Sequence, residues 1–323
     1  MDPLSNLLAD HRTVIIDGSF GFQLKHYMNE GFDEDPLWSA KALYSNPDAV
    51  IEVHMDYIKA GAAIIETNSY QASEKGFMKY LNLSKEDSFN IIKKSAELAK
   101  IAIKKCKEEG ILEGRNIPLV AGSIGPYGAY LHDGSEYNGK YTDHIGIEEL
   151  REYHKSRMSA LIEGGVDLLA IETIPSKKEA ELLVDMIKDY PEIKAWLSFS
   201  CKSDGISTAH GDNFVEAVRS CYEQNPDQLI AVGVNCIQPS AVEPLLSKVN
   251  VDQEKKIPLI VYANSGEKYD EFFGWDNRAD ALEPYIPVWL DLGVKYVGGC
   301  CRVCADYIVK IKEEVEKWEK KHL

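Results

Sequence analysis

Nothing in the 323-residue chain reads as a leader or a membrane span. Met1 to Thr13 has no basic stretch followed by an apolar one, and no run approaches the roughly 18 uninterrupted apolar residues of a bilayer-crossing helix. Basic charge is short as well: 36 Lys and Arg stand against 52 Asp and Glu, a formal net charge of −16. Such a surface repels phosphate backbones and anionic lipid, so no nucleic-acid or membrane partner is expected. The pairs Lys93-Lys94 and Lys104-Lys105 are mixed with Glu on helical patterns and read as solvated faces. His54, His144, His154 and His210 have no metal-ligand spacing, and no Lys closes an apolar strand. Both absences count against a barrel aldolase or a hydrolase working through metal-bound water. The seven Cys are odd in number and irregular in spacing, which suits a reducing, cytoplasmic compartment better than a disulfide framework. There is also no low-complexity linker to mark a domain boundary.

What is present is an alternation. Short apolar runs bounded by turn residues occur at 14–16, 62–67, 119–123, 168–172, 195–200, 230–235, 259–263 and 296–299. Between them lie segments of helical period at 48–59, 87–109, 147–164, 177–189, 213–223, 239–248 and 283–292, with a last one at 306–321. Near-continuous apolar strands alternating with helices imply a parallel sheet covered on both faces, and eight such units close into a (β/α)8 barrel. An open dinucleotide-binding sheet would show a Gly-rich turn after its first strand; Gly18 and Gly21 lack that spacing. The expectation is one α/β barrel domain over residues 1–323. The stretch from Gly125 to Ile145 is too long for a simple turn and is expected to form a rim over the site.

In such barrels the site is built where the strands end at their C-terminal side. The strand-end residues are Asp17; Glu66, Thr67 and Asn68; Glu172 and Thr173; Asn235 and Cys236; Asn264 and Ser265; and Cys300, Cys301 and Arg302. Three thiols thus converge. Soft thiolates select Zn²⁺, and three protein ligands leave a fourth position for a substrate. Gly298 and Gly299, lacking side chains, are expected to let the backbone approach a bound group. A free thiol is mostly protonated at neutral pH, whereas a zinc-bound one is not, so the chemistry implied is alkyl transfer to a substrate sulfur. Asp17 and Glu172 are placed to hold a cation, and the amides around Gly18, Ser19 and Phe20 to receive a carboxylate. Cys106 and Cys221 read as packing residues and Cys201 as a small core or loop residue. Cys304 forms a CxxC with Cys301 and stays open between a substitute ligand and an oxidation partner.

These residues resemble the homocysteine S-methyltransferase family nearly end to end. The passages that carry the resemblance are Asp17-Gly18-Ser19-Phe20-Gly21, Glu66 through Ser73, Gly122 through Gly128, Gly233-Val234-Asn235-Cys236, Asn264 through Glu267 and Gly298 through Arg302. The resemblance implies a (β/α)8 barrel, zinc on Cys236, Cys300 and Cys301, and homocysteine held by Asp17 and Glu172. The Asn68-to-Ser73, Gly122-to-Tyr130 and Tyr262-to-Glu267 passages look like the S-methylmethionine-dependent branch rather than the betaine branch. The expected activity is therefore methyl transfer from S-methylmethionine, with S-adenosylmethionine as a slower donor, to homocysteine. A betaine-dependent enzyme and a non-catalytic zinc-binding barrel stand as alternatives. Asn68 and Asn235 join the expected substrate-binding set, and Phe20 and Tyr127 are the aromatic candidates for a sulfonium. One departure is Val303-Cys304-Ala305, where the branch has Thr-x-Pro after the arginine.

Overall fold

The computed structural model describes residues 4, 7, 12–28, 34–270, 274–276 and 281–322. Eight parallel strands form the barrel: β1 (Val14–Ile15), β2 (Ile64–Glu66), β3 (Leu119–Ile124), β4 (Leu168–Ile174), β5 (Lys194–Phe199), β6 (Leu229–Asn235), β7 (Leu259–Ala263) and β10 (Val294–Gly299). Their order is β1-β10-β7-β6-β5-β4-β3-β2. A parallel bridge between Ile16 and Ile64, with the Ala63 N–H donating to Ile15 O at 2.8 Å, joins the two ends. The expected barrel is therefore found, and each expected strand lies within two residues of its place.

Period-two alternation sorts the side chains. Ile64, Leu119, Ala121, Leu168, Ala170, Trp196, Ala231 and Ile260 point into the barrel and form its inner core. Ile65, Val120, Leu169, Ile171, Leu197, Val232 and Val261 point out and pack beneath the helices. The inward rows end in polar residues. Ile64 is followed two residues on by Glu66, Ala121 by Ser123, Ala170 by Glu172 and Trp196 by Ser198. The barrel is thus dry below and polar at its C-terminal mouth.

Each expected helix is found, the segment 177–189 as an α-helix over Lys177–Met186 that tightens into a 3-10 turn over Ile187–Asp189. Ser84, Ser176 and Asn213 cap helix N-termini by accepting from the N–H three residues on. Elements the sequence pattern did not mark are short: helices Phe20–Leu24 and Glu74–Leu81, and a hairpin pairing β8 (Lys268–Asp270) with β9 (Gly274–Asp276). None of the described helices is long and apolar enough to cross a membrane.

The Gly125–Ile145 stretch does form a rim, made of a helix at Tyr127–Leu131 and 3-10 turns at Ser135–Tyr137 and Lys140–Asp143. It is anchored on Glu179, a fully buried carboxylate that accepts from Tyr127 N (2.8 Å), the Tyr141 hydroxyl and His154 Nε2 (2.8 Å). Arg157, also buried, donates to the carbonyls of Gly125 (2.8 Å), Ser69 (3.1 Å) and Tyr70 (2.7 Å). A guanidinium's fixed fork of donors lets one side chain tie the loop after β2 to the loop after β3.

Candidate active site

A cavity of about 830 Å³ opens at the C-terminal mouth of the barrel. At one corner Cys236, Cys300 and Cys301 present sulfurs that all lie within 4.8 Å of one another, with Cys236 Sγ and Cys301 Sγ 3.5 Å apart. This set could hold a metal. Cys236 follows β6 directly, and its N–H donates to Tyr262 O at 3.1 Å. Cys300 follows β10, and its N–H donates to Ala263 O at 2.7 Å, while Cys301 O accepts from Ser265 N at 3.1 Å. Both ends of the thiol set are thus tied to β7 and the loop that leaves it.

The glycines before the cysteines are hemmed in by the protein's own chain, and Gly299 also lines the cavity. A Cβ on Gly298 would lie 2.6 Å from Asp17 O, and one on Gly299 would lie 2.0 Å from a methyl of Val303. They make room for the protein's own chain, letting β10 press against β1 and Val303 close the turn. Three non-glycine residues with left-handed backbone mark the same mouth: Thr173 (φ 58°), Cys236 (φ 53°) and Arg302 (φ 63°). Each follows a strand-end residue of the site, and each such conformation costs on the order of 1 kcal/mol that the surrounding bonds must offset.

The three thiols do not titrate alike. The Cys236 thiol is pulled well below the ordinary cysteine range by hydrogen bonds from Cys300 and Cys301, helped by the Tyr137 hydroxyl 3.6 Å away. Cys300 and Cys301 are pushed up by their bonds to that same sulfur. The three thiols bear directly on one another, and a dication held among them would favour ionising all three.

The cavity also holds an acid cluster. Asp17 accepts from Glu66 N at 2.8 Å and Glu172 accepts from the Ser123 hydroxyl. Burial raises Asp17 well above the usual carboxylate range, with the Glu172 charge adding to it. Glu66 is raised by burial and then by Glu172 and Asp17. Glu172 is pushed up to about 6 by burial, against hydrogen bonds from Ser123 and Glu66. Burial leads in raising all three acids above the ordinary carboxylate range, and a bound cation would oppose that shift.

Of the residues expected at the site, Asp17, Gly18, Ser19, Phe20, Asn68, Glu172, Cys236, Cys300 and Cys301 all line this cavity. Two expectations need correction. Tyr127 does not line it; its ring packs among Tyr130, Tyr141 and Tyr153, and its hydroxyl meets Glu149 at 3.3 Å. Helix geometry turns it into the rim's own core. Asn235 is fully buried behind the wall, where it accepts from Thr173 N (2.8 Å) and the Ser198 hydroxyl (2.9 Å) and donates to Thr173 Oγ1 (2.7 Å). It supports the turn that carries Glu172. Among the expected backbone donors, the Ser19 N–H is already given to Val303 O at 2.9 Å. Asn68 Nδ2 donates to Ser39 O at 2.8 Å.

Among the cavity residues that received no role from the sequence are Glu66, Trp38, Tyr70, Glu136 and Tyr137. Glu66 carried a signal, since it continues the inward parity of Ile64 at a strand end. The others come from loops without periodicity. Cys304 stands outside the three-thiol group, at the start of the last helix, with its thiol pushed up to about 11 by burial and then Asp306.

Fold and site together define a (β/α)8-barrel protein whose mouth offers a metal-capable thiol triad beside a buried acid cluster, in a cavity of small-molecule size. The family whose sequence model matches residues 14–315 is homocysteine S-methyltransferase. Betaine-homocysteine S-methyltransferase of Drosophila melanogaster is 42% identical over 95% of this chain and 96% of its own length. Homocysteine S-methyltransferase YbgG of Bacillus subtilis is 38% identical over 98% of each. Among solved structures, the metallated form of the Escherichia coli homocysteine methyltransferase MmuM superposes with a TM-score of 0.84 at 36% identity, over 97% of this chain and 99% of that one. The chain belongs to the homocysteine S-methyltransferase family.

Proposed function

We propose that this protein is a zinc-dependent enzyme that moves a methyl group from S-methylmethionine to homocysteine, giving methionine. The observation that carries the reading is the thiol triad beside the acid cluster in one cavity. Tetrahedral zinc with sulfur at about 2.3 Å separates its ligand sulfurs by about 3.8 Å, and Cys236 and Cys301 stand 3.5 Å apart. Zinc bound by Cys236, Cys300 and Cys301 supplies a substrate thiol deprotonated at neutral pH. Asp17 and Glu172 hold the ammonium group of homocysteine, and the amides of Gly18 and Phe20 face its carboxylate. The homocysteine sulfur attacks the donor's methyl carbon, the old carbon–sulfur bond breaks, and its electron pair stays on the donor sulfur, which leaves as a neutral thioether. Catalysis is then mostly alignment of the two sulfurs with the methyl between them.

Charge supports the donor reading. The described lining contains four carboxyl groups, from Asp17, Glu66, Glu136 and Glu172, against the basic Lys25 and Arg302. Arg302 is itself paired with Glu267. Such a cavity favours a net-cationic donor, which S-methylmethionine is and betaine is not. The rings of Phe20, Trp38, Tyr70 and Tyr137 offer faces to a sulfonium, each worth roughly 0.5 to 2 kcal/mol. Betaine is the second reading, favoured by the 42%-identical Drosophila relative. The test is methionine formation from homocysteine by zinc-loaded protein, offered S-methylmethionine, S-adenosylmethionine and betaine in parallel under reducing conditions. Turnover with S-methylmethionine that stops on chelation is expected; turnover with betaine alone would move the donor assignment, and none with any donor would overturn the activity.

A further inference from the structure

A methyl transfer between two amino acids asks the protein for two ammonium sites, and the acid cluster accounts for one. The rim supplies a second acid. Glu136 sits in the 3-10 turn Ser135–Tyr137, held there because its carbonyl accepts from the Ser200 hydroxyl at 2.9 Å. It lines the cavity, and its Oε2 is buried with no hydrogen-bond partner. Burial pushes its carboxyl up to about 7, with the Cys236 and Asp133 charges adding to the rise. Its turn stands on the thiol side of the cavity, where the donor's methyl must arrive. The neighbouring Tyr137 reaches the Cys236 sulfur at 3.6 Å.

A second unpartnered oxygen lines the same cavity. Asn264 follows β7 between the two halves of the thiol set, is 8% exposed, and its Oδ1 has no hydrogen-bond partner. Buried acceptors without donors cost free energy unless a ligand brings the missing hydrogens or positive charge. Trp38 and Tyr70, edge to face at 6.5 Å, add ring surface to the wall. Acceptor oxygens and aromatic faces beside a thiol triad match a ligand carrying both an ammonium and a sulfonium.

We propose that Glu136 is the specificity-determining residue for the methyl donor, its carboxylate receiving the α-ammonium group of a sulfonium amino acid whose methyl points at the thiol triad. The inference rests on the sulfonium-donor reading above. Betaine, whose nitrogen carries no hydrogen, gains no hydrogen bond from this carboxylate, and neither does a sulfonium without an amine.

The experiment compares zinc-loaded wild-type and Glu136→Gln enzymes by steady-state kinetics, after zinc content and melting temperature are matched. Donors are S-methylmethionine and 3-(dimethylsulfonio)propanoate, which keeps sulfonium and carboxylate but has no amine and is read as substrate or competitive inhibitor. Loss of a charge-assisted hydrogen bond is expected to raise KM for S-methylmethionine roughly tenfold to a hundredfold. KM for homocysteine and the constant for the amine-free sulfonium should stay within about twofold, and Glu136→Asp, which keeps the charge, should fall between. If the wild type turns over S-methylmethionine and Glu136→Gln leaves its KM unchanged, the Glu136 assignment is overturned alone. A rise in KM for homocysteine instead would overturn it by moving Glu136 to the acceptor. A wild type active only with betaine would overturn the donor reading, and this inference with it.

Discussion

Cys236, Cys300 and Cys301 have no substitute within their own cluster, because Cys304 lies outside it. Each Cys→Ala change is therefore expected to abolish zinc binding and methyl transfer together, as read by metal stoichiometry and turnover; a zinc-loaded, fully active variant at any of the three would reject the ligand set. Glu172 makes a different prediction. Its folded-state pKa of about 6 lies above the ordinary 4.5, so the native chain holds a proton that the unfolded chain gives up. Stability from this group is present below about 4.5 and is lost as pH rises through about 6. Substrate binding runs the other way, since the ionised form holds the ammonium. KM for homocysteine is expected to fall as pH rises through about 6. Glu172→Gln should raise that KM at least tenfold, erase the pH step and raise the ligand-free melting temperature at neutral pH. A variant with unchanged KM would remove Glu172 from the acceptor site.

At the scale of elements, the strands were legible because their inward parity is period two and their ends change from apolar to polar within a residue or two. The rim was legible only as a length anomaly. Its turns depend on Glu179 and Arg157, which sit on the helices Lys177–Met186 and Ile147–Glu163 and look in sequence like ordinary helix charges. Nothing local announces that one carboxylate collects a backbone amide, a tyrosine and a histidine. Glu179→Ala would leave those donors buried and unmatched, at a cost of about 2–3 kcal/mol and a lower melting temperature. Limited proteolysis between residues 125 and 145 should speed up, and kcat/KM should fall while zinc content holds. An unaltered cleavage rate would show that the rim is held by other contacts. Tyr127 illustrates the same gap. It was an aromatic candidate for a sulfonium, but the direction in which a short helix presents its side chains is set by what packs behind it.

Across the whole molecule, the thiol set joins a strand end at residue 236 to another at 300–301, so a bound metal ties β6 to β10 across β7. A ligand that binds only the folded state stabilises it by mass action, by about 2.7 kcal/mol at a hundred times its dissociation constant. Zinc-loaded protein is expected to melt several degrees above chelated protein, with coincident loss of activity. Equal melting temperatures with zinc still bound would mean that the metal sits in a site indifferent to the fold.

By itself the sequence determined the barrel, the family, the three thiols and the acids Asp17 and Glu172, because each is written in short-range pattern: alternating strand and helix, and a chemical group at a strand's end. Only the tertiary structure decided that Asn235 braces from behind, that Tyr127 turns away, that Gly298 lets β10 press on the chain leaving β1 while Gly299 makes room for Val303, and that Glu136 and Tyr137 face the cavity. The physical reason is that a side chain's neighbours across a closed barrel come from segments far apart in the chain. Burial and hydrogen-bond satisfaction are properties of that assembly, and no local stretch of sequence carries them.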